Sequence, residues 1–169
     1  ILDYMEIANL LIKRNGYFYL KGNELMNTAM LLKPKSMVAY IYGDLSAEEG
    51  LKEFIDHGFT AVPVIDRDGM YIGVVSERDF LYRILDKKNV EAINEDDLTV
   101  AELADCSRFE SVTIDADIET LFNRIIEQNF VPVVDSRGMF SGIVTRKDVL
   151  MRMEYKLKQA DMSRKEMTV

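Results

Sequence analysis

The chain contains the same unit twice, and this repeat limits what it can fold into more than any other feature. Val62-Pro63-Val64-Ile65-Asp66-Arg67-Asp68-Gly69-Met70 reads against Val131-Pro132-Val133-Val134-Asp135-Ser136-Arg137-Gly138-Met139. Gly73-Val74-Val75-Ser76-Glu77-Arg78-Asp79 reads against Gly142-Ile143-Val144-Thr145-Arg146-Lys147-Asp148. Pro63 and Pro132, Gly73 and Gly142, and Asp79 and Asp148 each stand 69 residues apart. A constant spacing across separate landmarks means that one structural unit is used twice, so the fold has to be a pair of like halves.

Within each unit the pattern is that of a helix, two strands and a helix. Ala47–His57 and Ile118–Gln128 carry apolar residues at helical spacing. Ala61–Ile65 and Phe130–Val134 are apolar runs of strand length. Asp66 to Gly69 and Asp135 to Gly138 read as tight turns, because Asp bonds its local backbone and Gly tolerates unusual backbone angles. Tyr71–Val75 and Phe140–Val144 complete two hairpins, and helices start after Ser76 and Thr145. These strands are apolar on both faces and need helices over at least one of them. A lead-in precedes each unit, Leu25–Lys35 or Leu98–Arg108, read as a helical turn and followed by an extended approach, Val38–Tyr42 or Ser111–Ile114. The order β-α-β-β-α in duplicate predicts an α+β architecture, two domains packed as a pseudo-twofold pair. The expected division is an N-terminal extension at 1–24, a first domain at 25–86, a polar linker at 87–97, a second domain at 98–153 and a C-terminal helix and tail at 154–169. In the extension, Asp3–Lys13 reads as a helix, Asn15-Gly16 as a turn and Tyr17–Leu20 as a strand.

Composition narrows the function. With 48% hydrophobic and 30% charged residues the chain reads as an ordinary soluble globular protein. No apolar run approaches the roughly 18 residues of a membrane span. The first residues are acidic where a signal peptide is basic, and the lone Cys106 fits a reducing compartment, so a cytoplasmic location is expected. A net charge of −8 argues against nucleic acid and against anionic membrane surfaces. One His, one Cys, and no nucleophile–base pair or metal-ligand cluster argue against an enzyme and against a catalytic cofactor or metal. His57 ends a helix, where a cation is favourable for structural reasons.

The pattern that carries chemistry is Gly, two apolar residues, Ser/Thr, two variable residues, Asp. A strand delivers a hydroxyl to the start of a helix, where free N–H groups attract a phosphate, and the Asp can accept hydrogen bonds from two vicinal hydroxyls. The bland alternative is a capping box, in which the same residues satisfy the helix start. Ser46/Glu49, Thr99/Glu102, Ser107/Glu110 and Ser163/Glu166 share the looser pattern, so it separates neither role. Only Ser76/Asp79 and Thr145/Asp148 follow Gly and two apolar residues, at equivalent places in the repeat.

Gly58 to Asp66 with Gly73 to Asp79, and Asn129 to Asp135 with Gly142 to Asp148, resemble CBS (cystathionine-β-synthase) domains; the pair resembles a Bateman module over about residues 25–153. Lys33-Pro34-Lys35-Ser36 resembles a lead-in of small stand-alone members. The resemblance implies a regulatory module that binds an adenosine-containing nucleotide, with AMP, ADP or ATP ahead of cyclic di-AMP, and that signals to an effector protein. It implies that Asp79 and Asp148 hold ribose and that Ser76 and Thr145 sit near phosphate. Thr60, Ala61, Val62 and Pro63 would line one base pocket, and Asn129, Phe130, Val131 and Pro132 the other. Residues near Lys35, Ser36 and Val38, and from Arg108 through Ser111 and Val112, would close the clefts. A homodimer is also implied, and a ligand-free dimerisation module is the competing reading. The variable pairs distinguish the clefts: Glu77 and Arg78 in the first, Arg146 and Lys147 in the second, so phosphate is expected to favour the second.

Overall fold

The computed structural model describes residues 11–14, 17–20, 24–25, 27–87 and 98–166. The turn expected at Asn15-Gly16, the first part of the helix expected at Asp3–Lys13, and the linker beyond residue 87 lie outside them.

The extension departs from its expected form. Leu11–Arg14 is a strand, β1, and pairs along its whole length with β2, Tyr17–Leu20, which pairs in turn with β3, Glu24–Leu25. Residues 11–13 are therefore strand and not helix. Three of the four residues of β2 are aromatic and favour an extended, paired backbone, and β1 takes the partnership beside it.

The first unit then runs α1 (Thr28–Leu31), β4 (Lys33–Pro34), a single 3-10 turn at Lys35–Met37, β5 (Ile41–Tyr42), α2 (Ala47–His57), β6 (Ala61–Ile65), β7 (Tyr71–Ser76) and α3 (Glu77–Lys87). The second runs α4 (Val100–Leu103), β8 (Val112–Thr113), α5 (Ile118–Glu127), β9 (Phe130–Val134), β10 (Phe140–Thr145) and α6 (Arg146–Glu166). In each unit the hairpin is antiparallel and the approach strand adds in parallel, Ile41 opposite Val64 and Val112 opposite Val133.

Local chemistry sets the helix ends. Helix α2 opens with the Ser46/Glu49 capping box, the Ser46 hydroxyl accepting from the Glu49 N–H at 3.2 Å. It closes at Gly58, whose φ of 66° suits a residue without a side chain. Helix α5 opens on Asp117, whose carboxylate accepts from the Thr120 N–H at 2.7 Å, but it closes at Gln128 with no glycine.

Each hairpin packs its helices over a separate apolar core. Ile41, Phe54, Val62, Val64, Val75, Phe80 and Val100 form the first, with the Phe54 and Phe80 rings 5.2 Å apart. Val112, Ile118, Leu121, Ile125, Val131, Val133, Val144, Val149 and Met153 form most of the second. One member of each core comes from the other unit's lead-in. Val100, on α4, fills the first core, and Leu31, on α1, fills the second. The backbone follows. Strand β4 adds to the edge of β10, Pro34 opposite Gly142 and Lys33 opposite Ile143, giving the order β4-β10-β9-β8. The Asp105 N–H donates to the Val74 carbonyl on β7 at 3.0 Å. The two units have exchanged their lead-ins.

The units also meet at their turns. The Tyr71 N–H donates to the Gly138 carbonyl at 3.1 Å, and the Phe140 N–H donates to the Gly69 carbonyl at 2.9 Å. Tyr71 and Phe140, equivalent in the repeat, stack at 6.2 Å. Equivalent residues bonded reciprocally mark the local twofold axis of the pair.

Candidate functional site

Strand pairing assembles each motif. In the first hairpin Ala61 lies opposite Ser76, and the Glu77 N–H donates to the Thr60 carbonyl at 3.3 Å. In the second, Phe130 lies opposite Thr145, and the Arg146 N–H donates to the Asn129 carbonyl at 2.9 Å. The entry of one strand is thereby held against the exit of the next and the first turn of a helix. Thr60 and Asn129 are exposed there, and Ala61 and Phe130 half-buried. Val62, Pro63, Val131 and Pro132 are buried in the hairpins. Their side chains are buried, and the accessible surface lies at the strand ends, on Thr60, Ala61, Asn129 and Phe130.

Both hydroxyl–carboxylate pairs are made. The Ser76 hydroxyl donates to Asp79 Oδ2 at 2.6 Å, and the Thr145 hydroxyl donates to Asp148 Oδ2 at 2.6 Å. The Ser76 N–H also donates to Asp79 Oδ2 at 2.8 Å, and Thr145 Oγ1 accepts from the Asp148 N–H at 3.1 Å. These are capping contacts, and they leave part of each carboxylate for another partner.

The two clefts differ in what that partner is. Arg108 Nη2 donates to both carboxylate oxygens of Asp79, each at 2.7 Å, and Arg108 Nε donates to Asp105 Oδ2 at 2.9 Å. The Asp79 carboxylate holds the Arg108 guanidinium above its usual pKa. Hydrogen bonds from Ser107 and then Arg108 hold the Asp105 carboxyl below its usual range. The Asp79 side chain keeps only 15% of its exposure. Asp148 keeps 35%, and its counterpart is a loose ion pair with Lys33, Nζ to Oδ2 at 3.6 Å. The crossed lead-ins bring different residues to the two carboxylates: Arg108 reaches Asp79, while Met37 lines the space beside Asp148. The open space at Asp148 is a cleft of about 530 Å³. Lys33, Asp148 and Arg152 supply its polar side and Met37, Met151 and Tyr155 much of its apolar side.

Several expected ligand residues point elsewhere. Arg146 spends its guanidinium on backbone carbonyls: Nε donates to Ile125 at 2.9 Å, and Nη2 donates to Ile126 at 3.1 Å and Gln128 at 2.9 Å. It closes α5 in place of the glycine that closes α2. Arg78 lies over the Tyr82 ring at 4.9 Å on the outer face of α3. Lys35 lies over the Tyr40 ring at 5.0 Å. A Cβ built on Gly69, at the turn beside the twofold axis, would lie 3.2 Å from the Lys35 ammonium. Val112 is buried in β8, while Val38 and Ser111 are half-buried, and Ser36 and Lys147 are exposed. Met37 falls within the stretch from Lys35 to Val38 expected to close a cleft, while Lys33, Arg152 and Tyr155 were not expected. Arg152 and Tyr155 fall one and two helical turns after Asp148, a spacing that was readable on α6; Lys33 arrives only through the exchange. Sequence reasoning also missed Gln128, buried at the end of α5, whose Nε2 donates to the Glu110 carbonyl at 3.4 Å and whose Oε1 has no hydrogen-bond partner. Among the described residues there is no group of three His, Cys, Asp or Glu placed to hold a metal, and no helix long and apolar enough to cross a membrane.

Comparison with known proteins agrees with this architecture. The CBS domain family matches residues 24–86 and again 88–155. Inosine-5'-monophosphate dehydrogenase of Mycobacterium bovis is 30% identical over 102 residues, which is 60% of this chain but 18% of that enzyme. The chain thus spans less than a fifth of the length of that relative. Among solved structures, CbpB in complex with c-di-AMP superposes with a TM-score of 0.72 at 22% identity, covering 82% of this chain and 91% of that one. CBSX2 in complex with AMP, a protein of Arabidopsis thaliana, superposes with a TM-score of 0.61 at 25% identity, covering 78% and 98%. The repeat, the exchanged lead-ins and the paired Ser/Thr-x-x-Asp helix starts are those of a tandem pair, and the chain belongs to the CBS domain family.

Proposed function

We propose that this chain is a regulatory module that takes an adenine nucleotide in the cleft at Asp148 and signals its presence to an effector protein. The observation that carries the reading is the half-exposed Asp148 carboxylate at the start of α6, bonded to Thr145 and faced by Lys33 across an open cleft. Its volume of about 530 Å³ falls within the roughly 300–1,000 Å³ of ligand pockets. In this reading Asp148 accepts from the ribose hydroxyls, and the Thr145 hydroxyl with the α6 N-terminus receives phosphate. Lys33 and Arg152 supply positive charge, and the methionines and Tyr155 supply surface for a base. The phosphate preference for this cleft is kept, but its cations are Lys33 and Arg152 and not Arg146. Structures described as complexes with AMP and c-di-AMP among proteins of this fold support the ligand class. AMP, ADP and ATP rank ahead of cyclic di-AMP, which needs a wider or shared cleft. The residues at the cleft offer no nucleophile–base pair, so a binding role and not catalysis is proposed, in a reducing, cytoplasmic setting and as a homodimer. Regulation follows only if the nucleotide binds one conformation of the module or its complex better than another.

Isothermal titration with AMP, ADP, ATP and cyclic di-AMP, on the wild type and on Asp148→Ala, tests the proposal. Binding of one of them that weakens at least about tenfold in Asp148→Ala, the scale of a lost pair of hydrogen bonds to a charged group, supports it. Absence of binding by all four favours the ligand-free dimerisation module.

A further inference from the structure

We infer that Arg108 is a built-in latch on the first cleft, so that the chain offers one nucleotide site and not two. This rests on the reading of the Asp148 cleft as a nucleotide site. The first cleft has the same hydroxyl–carboxylate pair at the same point of the repeat, and by that equivalence it should take the same ligand. What differs is the group already on the carboxylate. The Arg108 guanidinium meets both oxygens of Asp79 at 2.7 Å, where a pair of vicinal hydroxyls would have to donate. A cation donating to a carboxylate is a stronger partner than a neutral hydroxyl. The guanidinium is also held from behind. Its Nε donates to Asp105, and Asp105 is itself fixed by the Ser107 hydroxyl at 2.6 Å and the Ser107 N–H at 2.8 Å. Asp105 is in turn bonded through its backbone to β7, the strand that ends at Ser76. The latch is thus anchored to the same strand whose site it closes.

The second cleft shows what the position looks like without it. Met37, which lines the space beside Asp148, is 71% exposed and carries no charge. Asp105 acts as a positioning residue, since it reaches Asp79 only through Arg108. The segment also touches the second hairpin. Phe109, the next residue, stacks on Phe130 at 5.2 Å, at the start of β9. The latch and this ring contact therefore belong to a single stretch of chain.

The test gives the first cleft the residue that the second one has. Four full-length chains are titrated with AMP by calorimetry: wild type, Arg108→Met, Asp148→Ala and the double variant Arg108→Met/Asp148→Ala. The inference expects one site per chain in the wild type and two in Arg108→Met. It expects the double variant to bind AMP at the first cleft about 10- to 100-fold more tightly than Asp148→Ala alone, the range a hydrogen-bonded charge pair is worth. Arg108→Gln, which keeps polarity but not charge, should move the same way, and circular dichroism melts confirm that each variant is folded. Two sites in the wild type, one of them lost in Asp79→Ala, would overturn the latch. So would a folded double variant that binds AMP no better than Asp148→Ala. A wild type with no AMP site, beside a double variant that gains one, keeps the latch and removes the reading of the Asp148 cleft.

Discussion

Replacing Gly142 by alanine interrogates the lead-in exchange at its tightest point. Gly142 sits on β10 opposite Pro34, with a φ of 150° that side chains rarely adopt. A Cβ built there overlaps the carbonyl oxygen of Lys33 and lies 3.0 Å from the Lys33 carbonyl carbon and from Pro34 Cα. The obstacles are backbone atoms and cannot rotate away. The strained φ costs about 1–3 kcal/mol by itself. Relieving the overlap moves β4 off β10, at about 1 kcal/mol for each ladder hydrogen bond lost, and draws Leu31 out of the second core. The expected loss is about 3–5 kcal/mol, which for a chain of this size lowers the melting temperature by roughly 6–20 °C. Because Lys33 and Met37 travel with β4, AMP affinity at the second cleft should fall as well. Gly73, the equivalent residue, is the internal control. A Cβ there meets its nearest atoms at 3.1–3.2 Å, and part of that contact is the Ala104 side chain. Gly73→Ala should cost about 1 kcal/mol. Thermal and urea unfolding followed by circular dichroism measure both. If Gly142→Ala melts within about 2 °C of wild type, or Gly73→Ala proves the more damaging of the two, the reasoning about the crossing is wrong.

Two further substitutions separate structural from ligand roles. Arg146→Met removes the group that closes α5 and should destabilise the fold by about 1–2 kcal/mol while leaving AMP affinity within about twofold. A large affinity loss with an unchanged melt would return Arg146 to the phosphate site. Tyr71→Phe removes the 2.8 Å hydrogen bond that the phenol donates to the Phe109 carbonyl, at a cost of about 1 kcal/mol. Burial also pushes the Tyr71 phenol above its ordinary range, so its neutral form is favoured in the fold. That contribution is complete below about pH 10 and is lost as the pH rises towards the folded value. Stability against pH, measured above pH 10, should therefore decline less steeply in Tyr71→Phe than in wild type; parallel curves would rule this out.

The repeat made most of the fold readable. Its helices and hairpins are long enough to show a period, and the Asp and Gly of each turn announce themselves through backbone chemistry. The exchange was not readable. Strand β4 has two residues, and nothing local in Lys33-Pro34 says which hairpin it joins. The misplacement of Leu11–Lys13 has a related cause, since a strand partner outweighed local preference. At the site, the hydroxyl and carboxylate of each motif were found because both lie on one helix start. Arg146 was misjudged because sequence shows a charge but not the direction in which the side chain leaves the helix. Arg108 was placed near a cleft, but its bond to Asp79 spans two units and leaves no trace in spacing. The two clefts do differ, though in other groups than the variable pairs: Asp79 is bonded to Arg108, while Asp148 is more exposed and faces Lys33.

The crossing of the two lead-ins has a consequence for how such a chain can be divided. Two separate single-unit molecules that lent each other this segment would be a domain-swapped dimer, assembling only at sufficient concentration. Joining them end to end makes the loan intramolecular, so that assembly no longer depends on how many molecules are present. The debt remains in the chain. A fragment ending at residue 87 lacks Val100 over its own core, and a fragment beginning at residue 98 lacks Leu31 and β4. Neither half is a complete folding unit, and each would look for its missing piece on another molecule.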